Sequence, residues 1–179
     1  QDQLLTNVDE AVDFVEQTKV DALAIAFGSS HGAYKFTRKP DGKILRVDRV
    51  AEIHAKLPNT HLVMHGSSSV PQDLQDIINE YGGDMRQTWG VPVEEIQEGI
   101  KNGVRKINVD TDNRMAITGA IRKVLKENPE AFDPRAYLKP ARIAMQKVVE
   151  SRMISFGQAG MAPKVRQESL EDMAKKYFT

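Results

Sequence analysis

An α/β fold built on parallel strands is what this sequence predicts, and three observations predict it. Three short apolar runs each pass straight into a polar cluster. Residues 22–27 lead into Gly28-Ser29-Ser30-His31-Gly32, residues 62–64 into His65-Gly66-Ser67-Ser68-Ser69, and residues 107–109 into Asp110-Thr111-Asp112. Short unbroken apolar runs fit strands buried on both faces, as in a parallel sheet. Each run is followed by a segment of helical periodicity, the alternation that produces parallel sheets with crossover helices. Polar residues gathered where such strands end mark the rim that carries ligand sites in α/β proteins.

The elements follow in order. Asn7 or Thr6 caps a first helix, with Asp9 and Glu10 in its first turn and Val8, Ala11, Val12 and Val15 on one face. Strand one is expected over residues 20–27, and Lys39-Pro40-Asp41-Gly42 reads as a turn. A second helix spans 48–56 with Val50, Ile53 and Leu57 facing inward, and strand two spans 61–64. Pro71 opens a third helix to about residue 81, which Gly82-Gly83 ends. Residues 84–91 (DMRQTWGV) are irregular, with Trp89 expected as a packing anchor. Pro92 opens a short helix stopped by Gly103, and strand three is expected over 106–110. A helix over 113–127 has Met115, Ile117, Ile121, Val124 and Leu125 as its apolar set. After Asn128 the strands stop: Asp133 caps a long helix to about 156, Gly157 and Gly160 break it, and Ser169 caps a last helix.

Bulk properties narrow the function. A chain of 179 residues supports one domain with a core. Lys+Arg and Asp+Glu balance at 25 each, which argues against a nucleic-acid partner. No cysteine is present, so a metal would sit on His, Asp or Glu. That absence fits a reducing compartment, and the expected location is the cytoplasm or another soluble reducing compartment. No apolar run approaches the roughly 20 residues that cross a bilayer, so no membrane partner is expected. The opening QDQLL has neither the basic leader nor the apolar core of a signal peptide, and it does not start with methionine, so processing or cleavage is expected. Three strands are fewer than a closed barrel needs, and open edges expose unpaired backbone. Either the strands pair with polypeptide outside this sequence, or the chain is a small three-stranded domain.

His31 and His65 stand at equivalent strand ends, each followed at once by glycine. Neighbouring parallel strands bring such ends close enough for two imidazoles to share a metal, and the glycines let backbone approach a ligand. A catalytic zinc usually takes three protein ligands. His54 on a helix and His61 at the far end of strand two are poorly placed, so a third is missing. Backbone N–H groups of Gly32, Gly66 and Ser67, with hydroxyls of Ser67 or Ser69, form a candidate phosphate cradle. Thr111 adds a hydroxyl, and Lys35 and Arg135 add compensating charge. The bland alternatives are turn residues, caps and solvated surface charges. Asn108 and Asp110 are expected on one face of strand three, turned toward a polyol or ketone, and Asp112 as the cap of the next helix. Lys106 is expected at the wrong end of strand three for a Schiff base, which makes a covalent lysine mechanism the lesser choice.

These residues together resemble a family. GSSHGAYK, LVMHGSSS and KINVDTDNR are similar, in order and spacing, to three consecutive signature segments of the class II, metal-dependent fructose-bisphosphate aldolases. The resemblance runs through DPRAYLK and FGQAGMAPK, and TWGVPVEEIQEGI resembles the subgroup common in photosynthetic and autotrophic bacteria. It implies a (β/α)8 TIM barrel, with this chain supplying strands six to eight and their helices over residues 1–132. Residues 133–179 would be a helical extension contacting a neighbouring subunit. It implies His31 and His65 as zinc ligands. Gly32, Lys35, Gly66, Ser67, Ser69, Asp110 and Thr111 would bind the phosphate of dihydroxyacetone phosphate, and Asn108 and Asp110 would serve catalysis at the reacting end. Arg135 would reach a neighbouring subunit's site.

The family's activity is reversible cleavage of fructose 1,6-bisphosphate to dihydroxyacetone phosphate and glyceraldehyde 3-phosphate, with zinc stabilising the enediolate. Its members are dimers, tetramers or larger, and many bind a monovalent cation, Na+ or K+. The third zinc histidine, its aspartate and the proton-moving glutamate belong to the N-terminal half, so this chain alone is expected to be inactive and to need that half as a partner. Two alternatives stay open: a tagatose-bisphosphate aldolase, and a non-catalytic fragment acting as an assembly or phosphate-binding module.

Overall fold

Three strands pair in parallel in the order β1 (Ala22–Ala24), β2 (His61–Met64), β3 (Val104–Ile107). The structure, a computed structural model, describes residues 5–178; residues 1–4 of the opening segment, read above as no signal peptide, lie outside the described residues. The helices are α1 (Val8–Thr18), α2 (Val47–Lys56), α3 (Gln72–Glu80), α4 (Val93–Lys101), α5 (Thr111–Glu127), α6 (Pro134–Ser155) and α7 (Leu170–Phe178), with a 3-10 turn at Ala162–Lys164.

Local chemistry sets the helix starts. The Asn7 side chain accepts from the N–H groups of Asp9 and Glu10 at 2.9 and 3.1 Å. Asp133 accepts from the N–H of Arg135 at 2.9 Å, and Ser169 from that of Asp172 at 3.1 Å. Each fills an orphan donor of a first turn.

Two strands differ from expectation, each for a visible reason. β1 is shorter than 20–27 because its backbone finds other partners. Ile25 still donates to Val63, but Ala26 exchanges bonds with Thr6, and Phe27 O accepts from Arg46. β3 lies earlier than 106–110 because its register slips between Leu62 and Val63, pairing Val104 with Leu62 and Lys106 with Val63. Asn108 makes the last bond of the ladder, to Met64 O at 3.0 Å. Asn108 and Asp110 therefore do not share a strand face: both follow the strand, and Asp110 is the N-cap position of α5.

The core lies on one face of the sheet. Ile25 and Phe27, Leu62 and Met64, and Val104 pack with Ala11, Val50, Ile53, Leu57 and Ile96. On the opposite face Ala22, Ala24, His61 and Lys106 are exposed, and Val63 between them is buried but stands outside that core. Parallel sheets are ordinarily covered on both faces, and a sheet with helices on one face only is how a barrel wall is built. α6 lies along α5, carrying the chain after residue 132 back onto this layer.

Leu62 is fully buried at the centre of the middle strand. In the full-length protein, Leu62→Ala is expected to cost about 2–5 kcal/mol, seen as a lower denaturant midpoint with little change in the slope of the transition. A loss within experimental error would mean that this strand is not central to the core.

Candidate functional site

The pairing of β1 with β2 brings two loops together at one end of the sheet. His65 directly follows β2, and His31 lies in the loop after β1. Their ring centroids are 5.3 Å apart, with the planes tilted by 44°. Two imidazoles bound through nitrogen at about 2.1 Å to one tetrahedral ion have centroids roughly 5 Å apart. Both side chains are exposed, as donors to an ion reached from solvent must be. The pair thus fits two corners of a metal site. Among the described residues, no group of three or more His, Cys, Asp or Glu forms a complete one.

The third loop closes on the same place. The Asn108 amide donates to the His65 ring, its Nδ2 lying 2.9 Å from Nδ1 and 3.0 Å from Nε2. The Lys106 amino group donates to Asn108 Oδ1. This corrects the placement of Lys106 at the far end of its strand: with β3 starting earlier, Lys106 lies in its second half and reaches the rim.

A cavity of about 640 Å³ opens here. His31, Gly32, Lys35, His65 and Gly66 line it from the first two loops, and Asn108, Asp110 and Thr111 from the third. Gly66 has φ +65°, and a Cβ on it would lie 2.3 Å from Ser30 O. Only glycine permits this approach of the two histidine loops. Lys35 donates its amino group to Gly66 O, crossing between the same loops. Burial pushes the Lys35 pKa below the usual lysine value, opposed in part by the negative charge of Asp112.

Three expected residues are not among those lining the cavity. The Ser67 side chain is buried and donates to Met64 O at 3.1 Å. Ser69 donates its hydroxyl to Asp112 Oδ2 at 3.1 Å. Arg135 is exposed at the start of α6, its Nε 2.9 Å from Asp133 Oδ2.

Sequence reasoning missed several residues that shape the site. Ser68, the middle of the serine run, is buried, and its Oγ accepts from the N–H groups of Asp110 and Thr111 at 3.3 and 3.1 Å. It ties the second loop to the third. Asp112 is no cap of α5 but a fully buried carboxylate that accepts from backbone N–H groups of Ser69 and Val70 at 3.1 and 2.9 Å. The irregular 84–91 segment straps the first loop: Thr88 Oγ1 donates to Ala33 O at 3.1 Å, and Trp89 pairs with Phe36 in an antiparallel bridge. Trp89, half-buried, holds the strap through its backbone. A hydroxyl in a serine run and an acid after a threonine carry no periodic signal that would have singled them out.

Comparison with known proteins places this chain among aldolases. Residues 1–161 match the family model described as fructose-bisphosphate aldolase class-II. A fructose-bisphosphate aldolase of Nostoc sp. is 66% identical over 175 residues, covering 98% of this chain and 49% of the relative. Fructose-bisphosphate aldolase 2 of Cereibacter sphaeroides is 63% identical, and a fructose-bisphosphate aldolase of Pseudomonas aeruginosa 61%, with the same coverage. The chain therefore spans about half the length of the curated relatives it matches. Among solved structures, the YdjI aldolase of Escherichia coli K12 superposes with a TM-score of 0.63 at 25% identity, over 88% of this chain and 48% of that one.

The contact at Gly66 has a direct test. Gly66→Ala is expected to destabilise the full-length protein by more than about 1 kcal/mol and to widen the 5.3 Å spacing of the His31 and His65 rings in a crystal structure of the variant. An unchanged spacing and stability would contradict the tight approach.

Proposed function

The chain belongs to the class II fructose-bisphosphate aldolase family, and from that we propose that it carries the phosphate cradle and two metal-binding histidines of an enzyme that reversibly cleaves fructose 1,6-bisphosphate. The products are dihydroxyacetone phosphate and glyceraldehyde 3-phosphate. The observation that carries this reading is the convergence of His31 and His65, 5.3 Å apart, beside Asn108.

In this reading β1 to β3 are strands six to eight of a (β/α)8 barrel. The bare sheet face, with its small Ala22 and Ala24, turns toward the barrel interior. The N-terminal half of the enzyme is the partner that supplies the other strands, the remaining metal ligand and the acid–base groups. Residues 1–132 are the barrel part and residues 133–179 the helical extension. Exposed Leu138, Ile143 and Ile154 on α6 support contact between the extension and a second subunit in a dimer or tetramer. Arg135, free of the cavity, reaches across that contact to the other phosphate of the substrate. The enzyme works in the cytoplasm.

The residues of this chain divide the task. Lys35 and the backbone around Gly32, Gly66 and Ser67 hold the phosphate of the three-carbon fragment, with Thr111 at the N-terminus of α5 adding a hydroxyl and the helix dipole. Asp110, at the α5 N-cap position, holds Arg114 by an ion pair of 2.9 Å at the cavity edge. Asn108 aims its amide at the reacting end, where a preorganised donor stabilises the charge left when the carbon–carbon bond breaks. Zinc held by His31 and His65 would supply Lewis-acid polarisation of the ketose oxygens, and a monovalent cation (Na+ or K+) would sit near the glycines.

Two outcomes are expected. His31→Ala or His65→Ala in the full-length enzyme is expected to remove bound zinc and to lower turnover by more than about 100-fold, the upper range seen for groups that merely support metal ligands. Full metal content with normal turnover would refute the assignment. The second concerns pH. Lys35 loses its proton at lower pH than an ordinary lysine, so its charge leaves the cradle early as pH rises. Calorimetric titration of inorganic phosphate from about pH 7 to about pH 10 is expected to show affinity falling below the usual lysine range, and Lys35→Gln is expected to abolish that dependence. An identical pH profile in the variant would remove Lys35 from the cradle.

A further inference from the structure

The loop Gly66–Val70 forms one wall of the cavity, yet much of what fixes it lies behind that wall. Val70 has φ +51°, a backbone conformation that a β-branched residue rarely adopts and that its surroundings must enforce. Asp112 is one such enforcer. Its carboxylate accepts from Ser69 N–H at 3.1 Å, Val70 N–H at 2.9 Å and Ser69 Oγ–H at 3.1 Å, with no exposure to solvent. A carboxylate so buried is costly unless a cation pairs with it. Arg152, from the last turns of α6, is that cation: its Nη2 lies 3.0 Å from Asp112 Oδ2, and it also donates to Ser69 Oγ at 2.5 Å. Its side chain is 15% exposed.

We propose that Arg152, on the helical extension and outside the cavity, is a positioning residue that acts through Asp112 to hold the Gly66–Val70 loop in its phosphate-binding shape. This rests on the reading of the cavity as a phosphate site. Neither Arg152 nor Asp112 lines the cavity, so neither is a ligand. The other side of the loop meets the site at two points: Gly66 O receives Lys35, and Ser68 Oγ receives the N–H groups of Asp110 and Thr111. Removing the guanidinium leaves a buried charge that must take up a proton or draw in water. Either way it gives up acceptor capacity toward Ser69 and Val70. The loop then relaxes, and the cradle on its far side with it, while His65, directly after β2, and His31, in the loop after β1, keep their places.

The test uses the full-length enzyme with the variants Arg152→Gln, Arg152→Lys and Asp112→Asn. Arg152→Gln is expected to raise KM for fructose 1,6-bisphosphate about tenfold, with a similar weakening of inorganic phosphate binding, while zinc content stays at the wild-type level. Arg152→Lys is expected to recover part of both losses, and Arg152→Gln combined with Asp112→Asn to be no worse than the poorer single variant, because the two act as one unit. Unchanged KM and phosphate affinity, with only a lower melting temperature, would reduce the pair to a structural contact and overturn the proposal. So would loss of zinc in step with phosphate. If Arg152→Gln does not fold, Arg152→Lys decides: a raised KM supports the proposal, and wild-type constants overturn it. A wild-type enzyme inactive on fructose 1,6-bisphosphate would refute the function, while the phosphate titration would still judge the positioning role.

Discussion

Parallel pairing between β1 and β2 is the constraint on which the site is built. Because Ala22 to Ala24 run alongside His61 to Val63 in one direction, both strands release their polar loops at the same end. An antiparallel pair would send the two histidines to opposite ends. Gly66 tightens the arrangement, since no side chain could stand between its backbone and Ser30 O. The result is two imidazoles at a spacing that suits one ion, with an amide from the third strand end against one of them.

At the polar end of that pairing the chain arranges cross-ties between loops. Ser68 ties the second loop to the third, Thr88 straps the first to the 84–91 segment, and Asp112 anchors the back of the serine loop. The cavity is therefore shaped by hydrogen bonds between loops, while the helices hold the opposite face of the strands. Donors placed on loops hold fixed positions only when the loops' own polar groups are occupied in this way. The Arg152–Asp112 pair extends the same pattern to α6, tying it to the back of the Gly66–Val70 loop.

Much of this was legible in the sequence, and the remainder was hidden for physical reasons. Helix positions followed from caps and periodicity: Asn7, Asp133 and Ser169 cap as expected, and Val50, Ile53 and Leu57 face the core. Strand two was read to the residue, because both its ends carry sharp polarity changes. Strand three was misplaced because its register slips beside Leu62, and a slip depends on pairing that no single strand encodes. The meeting of His31 with His65 was inferable from matched loops after matched strands. The inward turn of Ser67 and Ser69 was not, since a serine run gives no sign of which hydroxyl faces a ligand and which faces a buried acid. Asp112 looked like a cap because capping acids are common before helices. Its true partner, Arg152, lies far along the chain and only the fold brings it near.

One divalent ion is expected to sit between His31 and His65. Anomalous diffraction at the zinc absorption edge, from crystals of the zinc-loaded full-length enzyme, tests it most directly. A single strong peak is expected between the two rings, within about 2.1 Å of a nitrogen on each. A peak elsewhere, or one touching neither ring, would contradict it.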